Sequence, residues 1–148
     1  MKTIIFVCHG NICRSPCAEV IANTLIDKYH LNDELKVYSR ALSYEEYGND
    51  IYPPIKKVLL EHGHKFPIHH ADKLSENDIK KADVIYYMDD SNYRLIKWQF
   101  KDISKFRLIS ELTDNRYVED PWYTDRFEYV YSQIEEAVNA IINNEMTH

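Results

Sequence analysis

Cys8 and Arg14 bracket a short loop, His9-Gly10-Asn11-Ile12-Cys13, whose residue types and spacing suit one kind of chemistry. The apolar run Ile4-Ile5-Phe6-Val7 before it reads as a buried strand, and the stretch from Pro16 to Ile26 after it reads as a helix. A loop between a strand and a helix turns successive backbone N–H groups toward one point. The positive end of the helix dipole faces that same point. Such a nest holds a tetrahedral oxyanion of phosphate size. A thiol beside a cation and a helix N-terminus titrates low, at roughly 3.5–7.5, so Cys8 is expected to react as a thiolate. The guanidinium of Arg14 has the two-pronged shape that grips two phosphate oxygens at once. A lone cysteine at a strand end is often just a small core residue. Next to Arg14, Ser15 and Pro16, Cys8 reads instead as a nucleophile set in an anion cradle.

A thiolate that attacks a phosphate ester leaves an oxyanion to be protonated, which calls for a carboxylic acid held over the site. Glu119-Asp120-Pro121-Trp122-Tyr123 supplies one: Pro121 stiffens the chain after Asp120, and Trp122 and Tyr123 can flank an aromatic ring. The same stretch also suits an ordinary Asp-Pro turn with two aromatics packed on the core.

The elements that must position these residues alternate along the chain. Strands are expected at 35–39, 83–88 and 106–109, besides the first. Helices are expected at 16–29, at 53–60 with Gly63 as its stop, at 74–81 with Ser75 as N-cap, at 90–100 and at 125–142. In the last, Phe127, Val130, Tyr131, Ile134, Val138, Ile141 and Ile142 form one apolar stripe. This alternation gives an α/β fold: a three-layer sandwich with a four-stranded parallel sheet flanked by helices on both faces. Sites in such sheets lie at the carboxyl ends of strands, where Cys8 falls.

At 148 residues the chain reads as a single domain, residues 1–148, and 45% hydrophobic with 28% charged residues describes an ordinary globule. The net charge of −6 argues against nucleic acid as a partner, which wants a basic face. The first apolar run is far too short for a signal-peptide core or a membrane span, so no membrane partner and a cytoplasmic location are expected. All three cysteines, Cys8, Cys13 and Cys17, fall within one short stretch, which is no disulfide framework for a secreted fold. His62, His64, His69 and His70 cluster in sequence but lack an accompanying cysteine or paired helical spacing, so neither a metal nor any other cofactor is expected.

Val7-Cys8-His9-Gly10-Asn11-Ile12-Cys13-Arg14-Ser15-Pro16 resembles the N-terminal signature of the low-molecular-weight protein-tyrosine phosphatases, V-C-x-G-N-x-C-R-S-P, and Ala18-Glu19 match its continuation. The resemblance covers nearly the whole chain. It implies a phosphocysteine mechanism with Cys8 as nucleophile, Arg14 as phosphate clamp and Asp120 as general acid and base. It implies a phosphate-binding loop of His9, Gly10, Asn11, Ile12, Cys13 and Arg14. Asn11, Ser15, Ser39 and His69 become the residues that brace that loop, and Met88-Asp89-x-x-Asn92 matches a motif after the third strand. Trp122 and Tyr123 become a wall beside the substrate ring, with Tyr44 and Glu45 at the cleft rim. Cys13 matches a cysteine that can form a reversible disulfide with the nucleophile; Cys17 reads as helix packing. The implied partner is a phosphotyrosine-containing protein, and the chain itself is expected to be a monomer or weak dimer.

Departures from the family pattern concentrate at the rim. They are Arg40-Ala41-Leu42 after Ser39, Glu45 where an aromatic residue is common, Tyr52-Pro53-Pro54 where Asp-Pro-Arg is common, and Thr124 in place of a glycine. Glu45 is expected to disfavour acidic residues beside the phosphotyrosine. Two alternatives share the loop. A protein-arginine phosphatase carries threonine at the position of Ile12, and a non-catalytic phosphate-binding module would not need Cys8, Arg14 and Asp120 together. Thioredoxin-coupled arsenate reductases need further cysteines far along the chain, and none follows Cys17.

Overall fold

The structure is a computed structural model, and it describes residues 1–147. Strand β1 (Lys2–Cys8) lies inside the sheet between β2 (Leu35–Ala41) and β3 (Val84–Tyr87), and β4 (Phe106–Leu108) pairs with β3. The order is β2-β1-β3-β4 and every pairing is parallel. Helices α1 (Arg14–Lys28), α2 (Pro53–Glu61) and α6 (Phe127–Met146) pack on one face of the sheet. Helices α3 (Glu76–Lys81) and α4 (Asp90–Gln99) pack on the other. This is the three-layer α/β sandwich expected from the alternation.

The two faces explain the run that opens the chain. Ile4 and Phe6 point into the core under α1, α2 and α6, while Ile5 and Val7 point into the core with Ile85, Ile96 and Phe106. A strand covered on both sides has no solvent face, so it reads as a continuous apolar run rather than an alternation. All four side chains are fully buried. Sheet order reverses at β1, whose neighbours are β2 and β3. The loop leaving its carboxyl end therefore opens into the crevice where such sheets bind ligands.

Most element limits shift by one or two residues; β2, for one, runs to Ala41 rather than Ser39. Helix α1 starts at Arg14, so Pro16 is its third residue; the N–H that Pro16 lacks is one that no helical carbonyl would have accepted. Leu74 is not in α3. Its N–H donates to Ala41 O at 2.8 Å and its side chain is buried, extending the bridge of Ala41 with Lys73. The helix begins only after Ser75, whose hydroxyl accepts from Asp78 N–H while the Asp78 carboxylate accepts from Ser75 N–H. Helix α6 starts two residues late and runs on to Met146, with Glu145 paired to Lys2 at 2.6 Å. A short helix, α5 (Pro121–Thr124), stands where a plain loop was expected.

Candidate active site

The loop from His9 to Cys13 turns between β1 and α1 with Asn11 at φ +60°, a left-handed conformation that asparagine tolerates better than most side chains. Asn11 is fully buried and supplies four hydrogen bonds. Its Nδ2 donates to Ser15 Oγ and to Ser39 Oγ, each at 2.9 Å. Its Oδ1 accepts from Asp72 N–H at 3.2 Å, and its carbonyl accepts from His69 Nε2 at 2.6 Å. The four residues expected to brace the loop are thus brought into one network. Glu19, one turn into α1, extends it by accepting from Ser39 Oγ at 2.7 Å.

Ser15 Oγ accepts from Asn11 Nδ2 and lies 3.1 Å from Cys8 Sγ, with the Arg40 carbonyl a longer second acceptor at 3.5 Å; toward a Cys8 thiolate, which carries no hydrogen, the hydroxyl can only donate. Ser15 N–H points at the same sulfur from 3.5 Å. Two donors aimed at Cys8 Sγ stabilise negative charge on it. Burial, then the charge of Cys8, push the Cys13 thiol well above its ordinary value. Burial does the same to Cys17, which is fully enclosed beneath α6. Cys13 and Cys17 are therefore ordinary thiols, and all three cysteines are unbridged.

Arg14 is 3% exposed. Its Nη1 donates to Asp89 Oδ2 at 2.6 Å and to Val118 O at 2.8 Å, and its Nη2 lies 3.6 Å from Asp120 Oδ2. Burial works against the guanidinium charge, but Cys8, Asp89 and Asp120 outweigh it and raise the Arg14 pKa further. Asp89 does two jobs. Its Oδ1 caps α4 by accepting from Asn92 N–H at 2.8 Å, and its Oδ2 holds Arg14. The spacing Asp89-x-x-Asn92 carries a cap signal in sequence, but nothing in it points to Arg14.

Cys8, Arg14 and Asp120 open onto one cavity of about 480 Å³. His9, Gly10, Ile12 and Cys13 line it from the loop, and Trp122 and Tyr123 from α5. Asp120 is the N-cap of α5, its Oδ1 accepting from Trp122 N–H at 3.0 Å. Glu45 reaches the cavity and takes His9 Nε2 at 2.8 Å. Two lining residues were not anticipated. Glu46 lies so close that a Cβ on Gly10 would sit 3.1 Å from its Cγ, a tight contact that the glycine avoids. Tyr52 closes the aromatic side, its ring 5.2 Å from that of Trp122. Tyr44, expected at the rim, is not brought to the cavity. It is 69% exposed and packs against Tyr47 and Lys73. Tyr44 and Tyr52 sit in a loop with no periodicity, so the sequence cannot say which of them turns inward.

The remaining histidines of the 62–70 cluster have other partners. His62 pairs with Glu128, His64 lies between Thr24 and Tyr131, and His70 meets the carbonyl of Gly48. Among the described residues no group of three or more His, Cys, Asp or Glu side chains is arranged to hold a metal ion.

The family model for the low molecular weight phosphotyrosine protein phosphatases matches residues 3–147. The chain belongs to this family. The protein-tyrosine-phosphatase PtpA of Staphylococcus saprophyticus is 35% identical over 147 residues, covering 97% of this phosphatase family member and 93% of PtpA. The crystal structure of YfkJ from Bacillus subtilis superposes with a TM-score of 0.93 at 30% identity, covering 99% of this chain and 96% of that one. That of the Streptococcus pyogenes low molecular weight protein tyrosine phosphatase superposes at 0.87 with 31% identity, covering 97% and 93%. The sequence signature, the parallel sheet and the cavity at the end of β1 therefore belong to one family fold.

Proposed function

We propose that the chain hydrolyses phosphotyrosine in proteins through a phosphocysteine intermediate, and that residues 1–148 form a single phosphatase domain for that purpose. The observation that carries this reading is the convergence of Cys8, Arg14 and Asp120 on one cavity, with two hydrogen-bond donors of Ser15 behind the sulfur. In the first step the Cys8 thiolate attacks phosphorus. The S–P bond forms as the P–O bond to the phenol breaks, and Asp120 gives its proton to the departing oxygen. Backbone N–H groups of the loop and Arg14 hold the equatorial oxygens, preorganised for the charge of the transition state. In the second step a water attacks the phosphocysteine and gives a proton to the Asp120 carboxylate. Inorganic phosphate leaves and the thiolate returns, held by Ser15.

The apolar Ile12 in the cavity and the aromatic pair Trp122 and Tyr123 favour an aryl ester over a phosphoramidate of arginine. A reducing, cytoplasmic setting fits the three free cysteines, and the chain acts as a monomer or weak dimer. A reversible disulfide between Cys13 and an oxidised Cys8, both free thiols lining one cavity, would spare the nucleophile further oxidation. No helix among the described residues is long and apolar enough to cross a membrane.

The test is phosphate release from phosphotyrosine and phosphoarginine peptides, with EDTA present, by the wild type and by Cys8→Ser. Release from phosphotyrosine that disappears in the variant supports the reading. Preference for phosphoarginine overturns the substrate, and release from neither leaves a phosphate-binding module.

A further inference from the structure

Trp122 and Asp120 sit on α5, a helix of one turn that has too few hydrogen bonds to be rigid by itself. The ends of this segment are anchored. Val118 N–H donates to Met88 O at 2.9 Å, Arg14 donates to Val118 O, and Glu119 pairs with Arg126 beyond the helix. Its middle is held by the buried Pro121 and, from across the cavity, by one side chain against Trp122. The Tyr52 ring lies 5.2 Å from Trp122 at 48° and 6.0 Å from Phe127 at 40°, a tilted three-ring stack. The same residue touches the nucleophile loop through its backbone, with Tyr52 N–H donating to Ile12 O at 2.7 Å. Pro53 follows directly as the first residue of α2, so the backbone at Tyr52 is fixed in extended form at φ −56°, ψ 128°.

We infer that Tyr52 is a positioning residue that ties the acid-bearing segment to the phosphate-binding loop: its ring seats Trp122, and Trp122 N–H in turn sets the Asp120 carboxyl. This rests on the phosphatase reading above. The two ties are chemically separable. Any substitution other than proline keeps the N–H that holds Ile12 O, so the phosphate loop is retained. Loss of the ring removes the support under Trp122. The carboxyl of Asp120 then samples positions away from the departing oxygen, and misplacement by about 1 Å is enough to cost roughly a hundredfold in a proton transfer that depends on it.

The readout is leaving-group dependence. A phenol as basic as that of tyrosine needs the proton from Asp120, whereas dinitrophenolate departs without one. Both substrates are aryl phosphates, so a change in ring binding moves both alike. For Tyr52→Ala we expect kcat/KM on free phosphotyrosine, which like dinitrophenyl phosphate has no peptide flanks, to fall roughly 10–100-fold. On 2,4-dinitrophenyl phosphate it falls by less than about threefold, because proton donation contributes little there. Competitive inhibition by inorganic phosphate stays within about twofold, as the loop donors are untouched. Tyr52→Phe keeps the ring and should restore the phosphotyrosine rate. Adding Tyr52→Ala to Asp120→Asn should cost nothing further, since residues acting through one group are not additive. Equal losses on both substrates, or an unchanged phosphotyrosine rate in Tyr52→Ala, would overturn the assignment. A wild type that hydrolyses neither substrate would instead overturn the phosphatase reading on which it rests.

Discussion

Asp89→Asn isolates the electrostatic support of the clamp. The substitution keeps an oxygen to cap Asn92 N–H, so α4 retains its N-terminus. It removes the charge 2.6 Å from a guanidinium that is 3% exposed, and turns an amide NH₂ toward an N–H donor. Removing one partner of a buried ion pair costs about 3–5 kcal/mol. Here Val118 O remains at 2.8 Å, Asp120 Oδ2 remains at 3.6 Å, and water reaches the Asp89 carboxylate, whose side chain is 19% exposed. The loss is therefore set at about 2–3 kcal/mol, at and just below the lower end of that range. For a chain of this length that lowers Tm by roughly 5–10 °C. The assay is thermal or urea unfolding with and without inorganic phosphate. Bound phosphate supplies the missing negative charge, so the variant should gain more stability from saturating phosphate than the wild type does. A loss below about 0.5 kcal/mol, the range of a surface pair, would refute the reasoning. So would a loss that saturating phosphate leaves unchanged.

Three further outcomes follow from the site and its surroundings. Asp120→Asn should lower kcat/KM on phosphotyrosine by roughly 10²–10⁴, measured at the pH optimum of the wild type, because the amide can neither give nor take the proton. The Asp50 carboxylate is held down at about 2 by the bond from Lys56 and by N–H donors of His69 and Ile51, against the effect of burial. The unfolded chain binds that proton more readily, so this part of the stability is present above the ordinary aspartate pKa and is lost as pH falls toward 2. Urea unfolding between about pH 5 and pH 2.5 should show a shallower acid decline for Asp50→Asn than for the wild type. With Glu45 and Glu46 at the mouth, phosphotyrosine peptides with basic neighbours should be turned over about two- to fivefold faster than acidic ones. High salt should erase that preference, and Glu45→Lys, which leaves Glu46 opposite one cation, should abolish it.

Much of this was legible because periodicity and spacing report it. The unbroken run Ile4 to Val7 announced a strand covered on both faces, and β1 is that strand. Cys8 and Arg14 announced an anion loop because the loop is local, its parts a few residues apart. What stayed hidden depends on long-range partners. Asp89 is read from sequence only as part of a motif after the third strand, and only the fold brings Arg14 to it from 75 positions away. Tyr44 and Tyr52 are alike in type, and the choice between rim and cavity is made by the Tyr52 bond to Ile12 O and the packing of Trp122. Helix α5 escaped because one turn leaves no period to detect. Leu74 was drawn into α3 by its apolar character, while its N–H serves Ala41 instead.

The central claim is that phosphate passes through Cys8. Its most direct test is to mix the enzyme rapidly with a phosphotyrosine substrate, quench in acid, and locate the phosphate on the protein by mass spectrometry. The account predicts phosphate on Cys8 alone, released as the reaction proceeds and absent in Cys8→Ser. Phosphate on another side chain, or turnover by Cys8→Ser at the wild-type rate, would contradict it.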